Sequence, residues 1–139
     1  MAVIKILKSF RNVAMVGASA NPEKPSNIVF RYLTTHGYNV IPVNPTIKEV
    51  EGKKCYANLS AIPEKVEVVD IFRRSEDIPP IVDEAIKIGA KAVWMQEGII
   101  NDAAAEKANS AGLLVVMDKC MRKEHIRLSE EGQNGNLPW

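Results

Sequence analysis

The sequence predicts an α/β fold: a doubly wound, Rossmann-like parallel sheet of five to six strands, in the order 3-2-1-4-5-6, with helices on both faces. Three observations lead to this prediction. Short apolar runs alternate with amphipathic helical stretches along the chain, which is the order of repeated βαβ units. The runs are almost continuously apolar, as expected of strands buried on both faces. A glycine separates each helical stretch from the next run, where helices commonly end.

Five runs are predicted to be the main strands, because each is rich in Val, Ile, Leu or Met and too short for a buried helix. They cover residues 12–18, 39–43, 66–72, 91–95 and 113–118. A sixth and weaker strand, third along the chain, is predicted at residues 54–56, after turns at Asn44-Pro45 and Gly52. Right-handed crossovers between these strands give the doubly wound order.

Three helices are predicted between the strands, because apolar side chains recur there at helical spacing. Their stripes are Ile28, Val29, Tyr32 and Leu33; Ile81, Val82, Ala85 and Ile86; and Ala104, Ala108 and Ala111. Each stripe is followed by a glycine, and the second and third begin with residues suited to a first helical turn or an N-cap. These residues are Gly37, Gly89, Gly112, Pro79, Pro80, Asn101 and Asp102.

The length of 139 residues fits one domain, so we assign residues 1–128 to a single Rossmann-like domain and 129–139 to a polar C-terminal tail. The formal net charge of +1 predicts that nucleic acid is not a partner. Every apolar run is far shorter than the roughly 20 residues that span a bilayer, so no membrane association is expected. The N-terminus lacks the pattern of a secretory signal, which predicts a cytoplasmic protein. Cys55 and Cys120 are expected to be free thiols.

The segment 17–26 is the first candidate for ligand binding, because it follows the first strand at the carboxyl edge of the sheet, where doubly wound folds bind ligands. Beside Gly17-Ala18, it supplies hydroxyls and a cation ahead of a predicted helix N-terminus, which suits a phosphate. The residues in question are Ser19, Lys24, Pro25 and Ser26. A second interpretation stays open, in which the segment is a solvated loop and Ser26 caps the helix.

Arg73 and Arg74 are the second candidate, since they follow the fourth strand and face the same crevice. Guanidinium groups bind phosphates in a bidentate manner. The alternative is that both arginines are solvated or pair with Glu76 and Asp77. At the end of the next strand, Gln96 and Gly98 offer an amide and backbone donors, whereas Trp94 is predicted to pack in the core.

The end of the second strand argues against a nicotinamide dinucleotide. NAD-binding domains of this topology place an acidic residue there to hold the ribose, and NADP-binding domains have an arginine nearby. This chain has Asn44 and Pro45, with Lys48 as the nearest cation, and it lacks the GxGxxG motif. An NAD(P)-binding redox domain therefore remains only an alternative.

Catalytic and metal chemistry have little support in the sequence. No serine elbow, HExxH or P-loop motif occurs, and the histidines and cysteines do not cluster, so no metal site is predicted. His36 is placed at a helix end and His125 at the surface of a final helix. The candidate nucleophile is Cys120, flanked by cations that favour a thiolate, and its alternative is an inert buried cysteine. We expect no catalytic activity from this chain alone.

Five segments carry a resemblance to a known family. They are VAMVGAS at 13–19, VIPVNP at 40–45, DIFRR at 70–74, VWMQEG at 93–98 and VVMDKC at 115–120. Taken together and in this order, they resemble the small stand-alone CoA-binding proteins, which are similar to the CoA-binding domain of the succinyl-CoA synthetase alpha subunit. The resemblance covers residues 12–125 and implies a Rossmann-like domain that holds the nucleotide end of CoA.

The resemblance also implies roles for individual positions. The residues placed around the CoA phosphates are Gly17, Ser19, Lys24, Pro25 and Ser26. Asn44 and Pro45 would border the adenosine, Phe72 and Arg73 would form the facing wall, and Gln96 and Gly98 would complete the rim. The synthetase's second domain, with its phosphorylated histidine, has no counterpart here, so ligase activity is not implied.

Three hypotheses of function follow. The first is a cytoplasmic protein that binds CoA or acyl-CoA as its cofactor at the carboxyl edge of the sheet. The second is an enzyme that uses Cys120 on an acyl-CoA or a CoA disulfide. The third is a non-catalytic interaction subunit, working as a homodimer or with a protein partner.

Overall fold

The computed structural model describes residues 2–133. The strands are β1 (Asn12–Val16), β2 (Asn39–Val43), β3 (Glu49–Val50), β4 (Lys53–Lys54), β5 (Val68–Ile71), β6 (Ala92–Met95) and β7 (Leu114–Val116). The helices are α1 (Ala2–Ser9), α2 (Pro25–Thr35), α3 (Ile78–Lys87), α4 (Asp102–Ser110) and α5 (Met121–Gln133). Short 3-10 turns occupy Leu59–Ala61 and Ser75–Asp77.

The five main strands form a parallel sheet in the order β2-β1-β5-β6-β7, which confirms the predicted fold class. The weak sixth strand does not form, and only an isolated β-bridge is found in its place. Tyr56 makes a single parallel bridge to Val43 at the outer edge of β2, where the third strand was predicted. Lys53 and Lys54 instead pair antiparallel with β3, because the turn at Glu51-Gly52 folds this segment back on itself.

Helices cover both faces of the sheet, and successive strand residues alternate between two apolar cores, as parallel strands require. On one face α1, α2 and α5 bury Phe30, Trp94 and Met121 with little or no exposure. On the other face α3 and α4 pack over Ile71 and Met95. Trp94 is completely buried and its indole N–H donates to the carbonyl of Lys119, so its predicted core role is confirmed.

The predicted helix boundaries are confirmed at several positions. Gly37, Gly89 and Gly112 follow their helices with φ of 91°, 78° and 89°. The side chain of Asn101 accepts a hydrogen bond from the N–H of Ala104 and so caps α4. These local interactions explain why the element boundaries could be predicted closely.

The two ends of the chain contain more helix than was predicted. The N-terminal helix α1 was not predicted, yet Ile6 and Leu7 are completely buried against the sheet. Helix α5 continues through Ser129 to Gln133, so the predicted polar tail begins as helix, and residues 134–139 lie outside the described residues. Across residues 2–133, none of the helices combines the length and apolarity needed to cross a bilayer.

Candidate functional site

Gly17 holds the ends of three strands together at the carboxyl edge. Its N–H donates to the carbonyl of Val43 at 3.0 Å, and the N–H of Phe72 donates to the carbonyl of Val16 at 2.8 Å. The φ of Gly17 is 87°, and a Cβ there would lie 2.3 Å from the carbonyl oxygen of Phe72. Only glycine therefore allows the β1 loop and the β5 end to approach so closely.

The loop after β1 is held in place by side chains that donate to its backbone. Asn27 is completely buried, and its Nδ2 donates to the carbonyl of Ser19 at 2.8 Å. Arg31 donates to the carbonyl of Pro22 at 2.9 Å, and Nδ2 of Asn44 donates to the carbonyl of Ala18 at 2.9 Å. Asn27 was not predicted to belong to the site, although its i, i+4 spacing from Arg31, to which it is hydrogen-bonded, is a usable signal.

The N-terminus of α2 borders the crevice, and no side chain caps it. Lys24 is the N-cap residue, because Pro25 occupies the first helical position, and its side chain makes no capping hydrogen bond. The interpretation of Ser26 as the cap is therefore wrong: Ser26 lies inside the first turn and is buried. Pro25 and Val29 face a cavity, which leaves this positive helix end available to an anion.

A cavity of about 920 Å³ opens at the carboxyl ends of β5 and β6. Its walls include apolar side chains from α2 and from the loop after β6, together with polar groups from three loops. The predicted site residues that line it are Pro25, Phe72, Arg73, Arg74, Gln96, Gly98 and Cys120. The cavity thus combines apolar walls with two guanidinium groups, those of Arg73 and Arg74.

A smaller cavity of about 330 Å³ lies on the β2 side of the same edge. Gly17, Asn44 and Pro45 line it, with apolar side chains such as Leu59 beneath. Arg73 and Asp77 line both cavities, so this loosely paired cation and carboxylate lie at the boundary between them.

Four of the predicted CoA-binding residues line neither cavity: Ala18, Ser19, Lys24 and Ser26. Ala18 is completely buried, and the hydroxyl oxygen of Ser19 accepts a hydrogen bond from the N–H of Asn21 at 3.1 Å. In this structure the roles of Ala18 and Ser19 lie in the shape of the loop.

Both arginines pair with Asp77, as the alternative interpretation proposed, but only loosely. Each guanidinium lies 3.5 Å from the Asp77 carboxylate, and the side chains of Arg73 and Arg74 are 44% and 75% exposed. Ion pairs this long and exposed contribute about 1 kcal/mol or less. A phosphate that enters the cavity can therefore compete for both guanidinium groups.

The far rim of the large cavity is hydrogen-bonded to the loop before α5 and to the first turn of α5. The N–H of Gly98 donates to the Asp118 carboxylate at 2.7 Å, and Lys123 bonds Glu97 at 2.9 Å. The carbonyl of Cys120 accepts the N–H of Glu124, so this cysteine directly precedes α5, with its half-buried side chain on the cavity wall.

Beneath the cavity lies Asp70, which the sequence analysis did not single out as a site residue. It is completely buried, and its Oδ1 accepts a hydrogen bond from Nε2 of Gln96 at 3.0 Å. Burial raises the pKa of Asp70 to about 8, although the Gln96 hydrogen bond favours ionisation. An acidic residue inside an otherwise apolar strand was the signal available in the sequence.

The histidines take no part in this site. His125 was predicted at the surface, and this is wrong: it is buried, and its Nδ1 lies 2.7 Å from the hydroxyl of Tyr32. The reason is that α5 packs across α2 and brings His125 onto Tyr32 and Tyr38. Among residues 2–133, no three His, Cys, Asp or Glu side chains are grouped in a way that suits a metal ion.

Comparison with known proteins decides the family. The profile of a family described as "CoA binding domain" matches residues 11–126, which include every candidate site residue. This chain belongs to the CoA-binding domain family. The resemblance drawn from the five sequence segments is thereby confirmed.

Two relatives of this CoA-binding domain have a similar length. The uncharacterized protein YneT of Bacillus subtilis is 36% identical over 121 residues, which are 87% of this chain and 90% of YneT. A hypothetical protein from Pyrococcus horikoshii OT3 is 47% identical with a TM-score of 0.89, and the match covers 91% of this chain and 89% of that one.

A longer relative contains the same domain as one part. The ADP-forming acetate–CoA ligase I of Archaeoglobus fulgidus is 27% identical over 119 residues. The match covers 78% of this chain and 17% of the ligase. The CoA-binding domain thus corresponds to a small segment of a larger enzyme.

Proposed function

We propose that the protein binds coenzyme A or an acyl-CoA, with the nucleotide in the smaller cavity and the pantetheine arm in the larger one. The observation that carries the proposal is the position of Arg73. Its side chain lines both cavities where the ends of β1, β2 and β5 meet. CoA has its phosphates between an adenosine and a long arm, so a cation at this boundary suits it.

Three further features support phosphate binding near this boundary. Arg74 adds a second guanidinium on the same wall, and neither arginine has a close ion pair. The N-terminus of α2 contributes a positive dipole end with no side-chain cap. In the proposal, Lys24, which immediately precedes α2 and lines neither cavity, supplies an exposed cation to the 3′-phosphate from outside the cavity lining.

The end of β2 favours CoA over NAD. Oδ1 of Asn44 accepts hydrogen bonds from the N–H and hydroxyl of Thr46, and its Nδ2 donates to Ala18. This side chain therefore organises the turn, and the position offers no carboxylate for ribose hydroxyls. In the proposal, Asn44 and Pro45 border the adenosine through the shape of the turn. The two free thiols agree with a cytoplasmic setting for such a protein.

Calorimetry with four ligands tests the proposal: CoA, dephospho-CoA, NAD and NADP. CoA is expected to bind most tightly, and loss of the 3′-phosphate in dephospho-CoA is expected to weaken binding because one charge-assisted contact is lost. Tighter binding of NAD or NADP than of CoA would overturn the proposal.

A second candidate function rests on the position of Cys120 in the wall of the large cavity. There its thiolate can attack one sulfur of a CoA disulfide, forming a protein–CoA disulfide and releasing the other CoA as a thiolate. Incubation with CoA disulfide followed by intact mass measurement tests this step. We expect one CoA adduct that is lost in Cys120→Ser and retained in Cys55→Ser, because Cys55 is buried elsewhere. An adduct that persists in Cys120→Ser would remove the assignment.

A further inference from the structure

Asp70 carries an unusual oxygen. It lies in the middle of β5, between Met15 of β1 and Trp94 of β6, and it is completely buried. Its Oδ1 accepts from Gln96, but its Oδ2 has no hydrogen-bond partner, which is true of no other buried side-chain oxygen or nitrogen in residues 2–133. A carboxylate with one bare oxygen in an apolar interior is costly, whereas a protonated carboxyl tolerates this position better.

Gln96 connects this buried group to the cavity. The residue is 4% exposed, its amide bonds Asp70, and it also lines the large cavity. A glutamine amide has one donor end and one acceptor end. Whichever end bonds to Asp70, the other end is left for a ligand in the cavity.

The two protonation states of Asp70 favour opposite amide orientations. An ionised Asp70 accepts from Nε2 of Gln96, which leaves Oε1 as an acceptor for the cavity. A protonated Asp70 has an O–H that needs an acceptor, and rotating the amide by half a turn brings Oε1 to it. The Nε2 donor is then left for the cavity.

We infer that Asp70 is a positioning residue that sets the orientation of Gln96 and so decides whether the cavity offers its ligand a hydrogen-bond donor or an acceptor. The inference rests on the proposed function and deepens it. With Asp70 protonated, Gln96 donates to a carbonyl oxygen of the ligand, either an amide of the pantetheine arm or the thioester of an acyl group. With Asp70 ionised, two acceptors face each other and binding weakens.

The other charged or titratable groups around the cavity can be distinguished from Asp70: they form ion pairs, lie outside the cavity lining, titrate outside the pH range or are removed by mutation. On the β5 side Arg73 and Arg74 pair with Asp77, and on the β6 side Glu97 pairs with Lys123. From α2, Lys24 stands at the N-cap, outside the cavity lining. Cys120, directly before α5, lies on the cavity wall, so the measurements use a Cys120→Ser background. His125 lies on the same face of the sheet, and burial lowers its pKa from the usual 6.5, below the pH range needed.

The experiment measures the affinity for CoA, acetyl-CoA and adenosine 3′,5′-bisphosphate by calorimetry between pH 6.5 and 9. For CoA we expect a loss of about three- to tenfold across this range, the equivalent of one hydrogen bond. Adenosine 3′,5′-bisphosphate lacks the arm and is expected to show no such loss. A larger loss for acetyl-CoA than for CoA assigns the contact to the thioester carbonyl, and an equal loss assigns it to the pantetheine amides.

Two variants keep the test decisive. Asp70→Asn, which is neutral at every pH, is expected to bind CoA with a flat pH profile. Gln96→Met, which keeps the length of the side chain without its amide, is expected to bind weakly and equally at all pH values. CoA binding that shows no pH dependence, or that keeps it in Asp70→Asn, overturns the inference and leaves the proposed function standing. If CoA fails to bind at any pH, the proposed function is overturned and the inference with it.

Discussion

Two acidic residues on β5 and just before it, Asp70 and Glu67, have opposite environments. Glu67 lies at the edge formed by the amino ends of the strands, and Asp70 lies towards the edge formed by their carboxyl ends. At the amino edge, Glu67 accepts hydrogen bonds from the N–H groups of Arg11 and Asn12, at 2.9 and 3.0 Å, and these bonds help to lower its pKa. Three residues further along the chain, inside β5 and beneath the cavity at the carboxyl edge, Asp70 has one bonded and one bare oxygen, and burial raises its pKa to about 8. The amino edge is therefore built for stability, and the carboxyl edge keeps polar groups available.

The arginines show the same contrast. Arg11 at the amino edge donates to the carbonyls of Leu7 and Phe10, both at 2.8 Å, and stacks over Tyr38. Arg73 at the carboxyl edge has only a long, exposed contact with Asp77. Side chains satisfied within the fold stabilise it, while weakly engaged ones are available to a ligand.

The largest expected effect is the pH dependence of stability. Asp70 is ionised in the unfolded chain above about pH 4 but stays protonated in the folded protein up to about pH 8. Its contribution is fully present below the lower value and is lost as the pH rises through the upper one, with a slope of up to about 1.4 kcal/mol per pH unit. Urea unfolding from pH 5 to 9 should therefore show falling stability, and Asp70→Asn should flatten the curve.

Glu67→Gln is the matched variant at the amino edge. The lowered pKa of Glu67 means that its stabilisation is present above its usual pKa and lost as the pH falls. At pH 7 this variant should lower the free energy of unfolding by about 1 kcal/mol, because the N–H groups of Arg11 and Asn12 lose a charged acceptor, Oε1 of Glu67, that is partly solvated. A Glu67→Gln profile as flat as that of Asp70→Asn would contradict the comparison between the two edges.

The second largest effect is expected when alanine replaces glycine. Gly17 and Gly37 have a similar φ but lie at opposite ends of the parallel strands. Gly17 and Gly37 have φ of 87° and 91°, but a Cβ meets the Phe72 carbonyl oxygen at Gly17 and nothing within 4 Å at Gly37. Gly37→Ala should cost about 1 to 2 kcal/mol from backbone strain alone. Gly17→Ala should cost clearly more and should also weaken CoA binding, because the β1 loop must move away from β5. Equal losses of stability by urea unfolding would refute the close-approach argument.

The smallest effect on folding, and the most selective one on binding, is expected for Arg73→Ala. Removing this cation should weaken CoA by about 1 to 3 kcal/mol with stability nearly unchanged, the scale of a charge-assisted hydrogen bond. Arg11→Ala should do the reverse and lower stability without affecting affinity. Calorimetry and urea unfolding on both variants check this, and a parallel loss of stability and affinity in Arg73→Ala would indicate a structural role for that residue.

Much of the site could be predicted because topology places strand ends at one edge. Gly17, Asn44, Arg73, Gln96 and Cys120, which line the cavities, lie at the end of a predicted strand or within two residues of it. The predicted strand order was therefore enough to predict that these residues lie close together.

The sequence by itself determined the strands, the helices that follow them, the helix-ending glycines and the edge at which the candidate site lies. These features depend on hydrophobic periodicity and on hydrogen bonds between near neighbours along the chain. Only the tertiary structure decided that Asn27 is buried under the β1 loop, that Asp70 has a bare oxygen and that Arg73 divides two cavities. The burial and partners of these side chains come from strands and helices distant in sequence, and no local pattern specifies which groups meet them there.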